Sequence, residues 1–324
     1  MSPLFILINP YSGKKAMRRQ RLYLFNLLRR RNEPFVYRVT EYAGHAIELA
    51  REAVETGYRR ILILGGDGTL NEAINGIMSA RIDSSERKQV QIGLMPRGTG
   101  NDFARYWQLD KRYRRSLDRF FSGQQHPLDV GCLTYYRNGE THHRYFVNSI
   151  GFGVDPLTCV YADRLKPYIG SHAINYLFGL LRALRRQQPI PMTIAIDDIL
   201  LTSPSATADS PQNDLGLYTM NIGNGPYSGG GIRQNPTADP TDGVLNGMMV
   251  ERPTFRQIMQ ALPRLFNGRL TDIPFVHSWQ GREINIETSK HLLVETDGIL
   301  LHFTGRCQVK CLHHALQFVV AQPD

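Results

Sequence analysis

The chain has 324 residues, 42% apolar and 21% charged, and 38 Lys and Arg against 29 Asp and Glu give a formal charge of +9. This is a globular composition, too apolar for a disordered polyelectrolyte, and its basic surplus favours anionic partners: nucleotide phosphates, acidic lipid head groups or nucleic acid. Four irregularly spaced cysteines (Cys132, Cys159, Cys307, Cys311) form no disulfide framework, no run reaches the ~18 apolar residues of a spanning helix, and Leu4–Ile8 is too short for a signal-peptide core. Length suggests two domains, and the default location is a reducing, cytosolic one.

In chain order, the first ~125 residues alternate short apolar runs with helical patterns. Strands are expected at Leu4–Ile8, Phe35–Val39, Ile61–Leu64 and Ile92–Met95. Helices are expected from the basic stretch to Arg31, at Ala43–Val54, from Leu70 to Ser79 and at Asp102–Trp107. Such repetition predicts a parallel sheet with crossover helices, whose ligands bind beyond the carboxyl ends of the strands. After Leu128 strand-like runs dominate: Val130–Tyr135, Tyr145–Ser149, Met192–Ile196, Leu215–Ile222, Met248–Val250, Ile284–Glu287, Leu292–Glu295 and Ile299–Phe303. Two helices, Ser171–Arg186 and Phe255–Phe266, interrupt them, and polar Ser203–Asp214 reads as a mobile surface loop. The expectation is an α/β nucleotide-binding domain over residues 1–128, a mainly-β sandwich over 129–303, and a segment 304–324 that packs back on the first domain.

Two motifs carry chemistry. In ILILGGDGTLNEAINGI a strand ends in Gly65-Gly66-Asp67-Gly68-Thr69 and a helix follows. Glycines let backbone N–H groups approach a phosphate, and the helix N-terminus adds partial positive charge. Asp67 puts a carboxylate in a phosphate-rich place, which makes sense with a cation between them. GLMPRGTGNDFAR repeats the plan with Gly98, Thr99 and Gly100 before a helix opened by Asn101-Asp102. Two such turns at neighbouring strand ends would hold a nucleotide triphosphate. Other loop types are excluded: Ser12–Lys15 lacks the first glycine of a Walker A loop, where Ile8 stands, and no G-x-G-x-x-G is present.

Together, ILINPYSGK, GGDGTLNE, GLMPRGTGNDFAR, FVNSIGFGVD and GNGPYSGGG followed by NPTADPTDGVLNGMMV resemble the diacylglycerol kinase catalytic-domain family, which includes bacterial lipid kinases and the sphingosine and ceramide kinases. GGDGT alone is shared with NAD kinases and is similar to a phosphofructokinase loop. The resemblance implies an NAD-kinase-like α/β domain followed by a β-sandwich, with ATP and Mg2+ as cofactors. It places Asn9, Thr40, Gly65, Gly66, Asp67, Gly68, Thr69, Leu70, Asn71, Gly98 and Thr99 at the nucleotide, with Asp67 catalytic and near the metal. In PTADPTDGVL it implies a structural Mg2+ held by the Asp242 side chain and by the carbonyls of Asp239 and Val244, an oxygen-only set suited to magnesium. The implied reaction is phosphorylation of a membrane lipid hydroxyl, most simply diacylglycerol to phosphatidic acid.

The sequence departs from the family's Asp-Gly-Glu, reading Glu295-Thr296-Asp297-Gly298-Ile299. Isoleucine accepts no proton, so Asp297 substitutes as the base, or Glu295 reaches in, or turnover is slow or absent. Asp297 is the expected base. The rival readings are a soluble-substrate kinase of the NAD-kinase type and a nucleotide- or lipid-binding protein without turnover. The basic clusters, among them Arg164, Lys166, Arg182, Arg185 and Arg186 beside a long apolar face, are either solvated helix faces or a peripheral dock on an anionic inner membrane surface. No nucleic-acid module is present, and a homodimer is a further expectation. Cys307-x-x-x-Cys311 with His313-His314 fits no common zinc spacing, so the cysteines are expected as small buried hydrophobes.

Overall fold

The structure, a computed structural model, describes residues 3–12, 17–109, 113–169, 173–201 and 215–320. The chain opens with β1 (Leu4–Ile8), α1 (Met17–Arg30), β2 (Phe35–Val39), α2 (His45–Glu55), β3 (Arg60–Gly65) and α3 (Asp67–Met78). It continues through one-turn α4 (Ser84–Arg87), β4 (Gln91–Pro96), α5 (Asp102–Tyr106), α6 (Tyr113–Ser122) and β5 (Gln124–Arg137). Then come β6 (Glu140–Phe146), β7 (Ser149–Gly153), α7 (Val154–Ile169), α8 (Ala173–Arg186), β8 (Ile190–Ile196), β9 (Ile199–Leu200), β10 (Leu215–Gly223), β11 (Leu245–Glu251), α9 (Phe255–Asn267), β12 (Val276–Gly281), β13 (Glu283–Thr296) and β14 (Ile299–Val320). Two compact units result: Met1–Val130 with His313–Asp324, and Gly131–Leu312.

The first unit is a parallel sheet in the order β14–β4–β3–β1–β2. All five residues of β1 are buried, as expected for a strand covered on both faces. Leu4, Ile6, Ile8, Leu62 and Leu64 pack against Leu24 and Leu28 of α1. Helices α2 and α3 meet at Gly76, where a Cβ would stand 2.2 Å from the Ile47 carbonyl oxygen. Only glycine permits that approach.

The second unit is antiparallel: β10 pairs with β7, β8 and β11, and β13 with β7, β8 and β14. In β8 the residues Met192, Ile194 and Ile196 alternate inward, the period of a half-buried strand. They join Phe146, Phe152, Ile284 and Phe303 in one core cluster. A second cluster joins Val154 of α7, Leu180 and Ala183 of α8 and Leu265 of α9 to Tyr218, Met248 and Val250 on the strands. Helix α9 opens on a reciprocal cap: Thr254 Oγ1 accepts from the Gln257 N–H, and the Gln257 side chain accepts from the Thr254 N–H.

Several segments differ from the sequence expectation: α4 and β12 were not expected, and Ile284–Glu287 and Leu292–Glu295 join in the single strand β13. Helix α7 was not anticipated: the strand-like FVNSIGFG precedes it, and Pro156 falls in its first turn, where a missing N–H costs nothing. Helix α6 follows residues outside the described set and was also missed. The last strand does not stop at Phe303 but runs 22 residues to Val320. The Ser203–Asp214 loop, Lys14, Lys15, Lys111 and Arg112 lie outside the described residues. Among the described residues no helix is long and apolar enough to cross a membrane.

Candidate functional site

Strand β3 ends at Gly65, Gly66 caps the next helix, and α3 starts at Asp67. Strand β4 runs parallel beside it, with Gly65 opposite Pro96, and the Arg97 N–H donates to the Gly65 carbonyl at 2.8 Å. The two glycine turns therefore lie side by side. A Cβ on Gly66 would stand 2.6 Å from Gly98 Cα, and one on Gly98 2.8 Å from Gly66 Cα. Both glycines are required by backbone-to-backbone contact. Gly68 is different: it is exposed, its φ is not positive, and a Cβ there would meet nothing within 4 Å. The protein's own packing does not need a glycine at that place. The room it leaves lies at the first turn of α3, where unpaired N–H groups and the helix dipole favour an anion.

The other expected nucleotide residues gather at the same strand ends. Asn9 follows β1, and its Nδ2 donates to Thr69 Oγ1 at 2.9 Å. Thr40 follows β2; it is buried, and its N–H donates to the Ile8 carbonyl at 2.9 Å. Leu70 and Asn71 are fully buried, so their side chains serve the interior; Asn75 Nδ2 donates to Asn71 Oδ1 at 3.2 Å. Thr99 is exposed on the second turn. The Asp67 carboxylate accepts from the backbone N–H groups of Asp102 (3.2 Å) and Phe103 (3.3 Å), tying the start of α3 to the start of α5. Asn101, read in the sequence only as a helix opener, clamps the second turn. It sits at φ +52, accepts from Gly98 N–H at 2.9 Å and donates to the Gly98 carbonyl at 2.6 Å.

In the second unit, Asp297 and Gly298 both have positive φ (+46 and +87) and join Thr296 to Ile299 in the two-residue turn linking β13 and β14. The Asp297 carboxylate accepts three backbone hydrogen bonds, from Val147 (2.8 Å), Asn148 (3.0 Å) and Ser149 (3.0 Å). Its geometry is that of an anchor for the segment entering β7. Glu295 is buried and accepts from the Gly298 N–H. In the Asp239–Val244 loop, Asp239 Oδ1 accepts from Thr241 N (3.0 Å) and Oγ1 (2.7 Å), and Asp242 Oδ1 accepts from Val244 N (3.0 Å). The loop offers oxygen donors only, from carboxylates, carbonyls and the Thr241 hydroxyl, a set that fits magnesium.

One group escaped the sequence reading. Asp155, in the first turn of α7, is buried at the polar end of an otherwise apolar cavity of about 70 Å3, lined by Val154, Leu180, Leu184, Met248 and Leu262 among others. Asn221 Nδ2 and Gln234 Nε2 donate to its two oxygens at 2.8 and 3.2 Å. Burial pushes the carboxyl from 3.8 up to about 6, and those two hydrogen bonds offset part of the rise. Gln234 Oε1, also lining the cavity, has no partner among the described residues. The available signal was an aspartate inside the apolar run GFGVDPL. Cys307 is a buried core residue whose thiol is pushed up by desolvation, as expected for an inert thiol.

Residues 3–133 match the diacylglycerol kinase catalytic domain, and residues 148–320 match the YegS C-terminal NAD kinase beta sandwich-like domain. A YegS-like probable lipid kinase from Chromohalobacter salexigens is 30% identical over 290 residues, covering 89% of this chain and 84% of that protein. A diacylglycerol kinase from Staphylococcus carnosus is 24% identical over 294 residues, covering 90% and 87%. The crystal structure of a diacylglycerol kinase from Bacillus anthracis superposes with a TM-score of 0.69 at 19% identity over 99% of this chain and 97% of that one. Yeast NADH kinase shares the fold at a TM-score of 0.54 and 10% identity, over 99% and 84%. The chain belongs to the diacylglycerol kinase catalytic-domain family, with a YegS-type C-terminal domain, and is a phosphotransferase of the lipid-kinase class acting on an alcohol group.

Proposed function

We propose that this protein transfers the γ-phosphoryl group of ATP to the hydroxyl of a membrane lipid, most simply diacylglycerol, giving phosphatidic acid. The observation that carries the reading is the contact of Gly66 with Gly98 beside the open space at Gly68. Those turns present backbone N–H groups and the start of α3 to the phosphates. In the transfer, the acceptor oxygen bonds to the γ-phosphorus as the bond to the ADP oxygen breaks, and the acceptor's hydroxyl proton is released to water. Such chemistry rests on positioning and charge neutralisation more than on a base. Asp67 is the carboxylate at the phosphate turn and is proposed as the catalytic group. Magnesium bound there would supply positive charge to the phosphate oxygens, and the Asp239–Val244 loop would hold a second, structural ion. Asp297, engaged by three N–H donors, is proposed to position the Val147–Ser149 segment.

For the membrane, α8 exposes Leu177, Phe178 and Leu181, and Arg164, Arg182, Arg185 and Arg186 line the adjacent groove against α7. Apolar side chains ringed by arginines suit the anionic head groups of a cytoplasmic leaflet, at about 1 kcal/mol per basic residue near the surface.

The test is a radiolabelled-ATP screen over diacylglycerol, ceramide, sphingoid base, phosphatidylglycerol and undecaprenol, with NAD as a soluble acceptor and Asp67→Ala as the blank. Label in a lipid with the unaltered chain and none with the variant supports the reading. Label in NAD alone, or nucleotide binding with no labelled product, overturns it in favour of a soluble-substrate kinase or a non-catalytic binder.

A further inference from the structure

We propose that the first unit carries a transition-metal site, built by Asp129, His313 and His314, that binds zinc(II). These are the residues among those described whose ligand atoms all lie within 4.8 Å of one another, and neither Cys307 nor Cys311 is among them. Asp129 of β5 is fully buried; its Oδ1 lies 3.0 Å from His313 Nδ1 and accepts from the His314 N–H at 2.7 Å. The His313 side chain is 52% exposed, so the group is reachable from solvent.

Backbone geometry points the same way. Successive side chains of a strand face opposite sides, so two consecutive histidines in β14 should diverge. His314 instead adopts φ +49, the left-handed region, and the two imidazoles lie 3.5 Å apart between centroids, inclined by 31°. A non-glycine residue held there is strained, and such strain gathers where geometry serves a site. The two rings lie on the same side as Asp129 and, on parting from their stack, supply a two-imidazole, one-carboxylate set.

That set is the donor chemistry of zinc sites, with the remaining positions open to water. Magnesium prefers oxygen donors, so the cluster discriminates against the ion expected at the Asp239–Val244 loop. Among divalent ions, the nitrogen donors favour those late in the first transition row. Asp129 and His313 are 184 residues apart in sequence. A shared ion would clip β5 to the terminal part of β14, the part that pairs with β4.

The test uses tag-free, metal-stripped full-length protein, titrated with zinc(II) against a chromophoric chelator in millimolar magnesium. One zinc per chain is expected, with an X-ray absorption shell of nitrogen and oxygen including imidazole and a thermal upshift on loading. His313→Ala, at the exposed ring, and His314→Asn, which tolerates the left-handed backbone, should each weaken binding by about tenfold or more and abolish the upshift. Sulfur in the shell, affinity unchanged in both variants, or no stoichiometric uptake at micromolar zinc would overturn the proposal. None of these readouts depends on kinase turnover.

Discussion

Gly68→Ala separates what the phosphate turn does for the fold from what it does for the nucleotide. A methyl group there meets nothing within 4 Å, and the backbone is not in the left-handed region. Gly68 lies in the first turn of α3, where replacing glycine by alanine lowers the conformational cost of folding. The variant should therefore be more stable by about 0.5–1 kcal/mol. The same methyl occupies the space through which phosphate oxygens reach the backbone N–H groups. Losing one hydrogen bond to a charged group costs about 1.5–3 kcal/mol, which is about a ten- to 150-fold rise in the KM for ATP. Gly66→Ala is the control. Its methyl would stand 2.6 Å from Gly98 Cα, so the turns must part, at about 1–3 kcal/mol of stability. Denaturant unfolding and ATP-dependent lipid phosphorylation in mixed micelles read the two quantities separately. A Gly68→Ala protein with unchanged KM for ATP would refute the phosphate-cradle reasoning, and a destabilised one would refute the packing.

Asp67→Asn should lower kcat by about 10²–10³ and also lower stability by about 1–3 kcal/mol, because both carboxylate oxygens accept backbone N–H groups at the start of α5 and the amide can satisfy only one of them. Asp297→Asn turns an amide N–H2 toward backbone donors, so stability should fall by about 1–3 kcal/mol while kcat, measured well below the melting point, stays within about tenfold; a larger loss would return Asp297 to the role of base. The Asp155 carboxyl is raised from 3.8 to about 6 by burial, so its contribution to stability is fully present below pH 3.8 and is lost as pH rises to about 6. The unfolding free energy of the unaltered chain relative to Asp155→Asn should drop by roughly 3 kcal/mol across that window, read by urea unfolding at stepped pH; a flat difference would contradict the buried-carboxyl assignment. Phe178→Ala and Arg182→Gln should each weaken co-sedimentation with anionic vesicles, and salt should weaken binding of the unaltered chain; equal binding to neutral vesicles at every salt concentration would remove α8 as the dock.

The paired glycine turns were legible because close backbone contact constrains residue type locally, as at Gly66 and Gly98, while Gly68 stands out as a glycine with no internal need. The parallel strands were legible because burial on both faces leaves uninterrupted apolar runs such as Leu4–Ile8. Helix α7 was not, since Val154 and Pro156 follow a β-like run and their helical start depends on packing against β10 and β13. Asp155 shows the same limit: its neighbours Asn221 and Gln234 are 66 and 79 residues away in sequence. Asp297-Gly298 was legible as a motif, but its three N–H donors lie about 150 residues upstream. Its hydrogen-bonding duty could be read only in three dimensions.

The far end of β14 lies against β4, with Phe318 opposite Ile92. During synthesis, the first unit has made Val130 when 188 further residues still separate it from Phe318. At translation speeds of about 5–20 residues per second, the flank of β4 waits roughly 10–40 s for its neighbour. An unpaired strand border of that kind invites mispairing with other chains. The nascent protein therefore has a window in which it needs shielding, and any fusion or trimming that disturbs residues near 318 would lengthen that exposure even though the altered residues are far from the ATP turns in sequence.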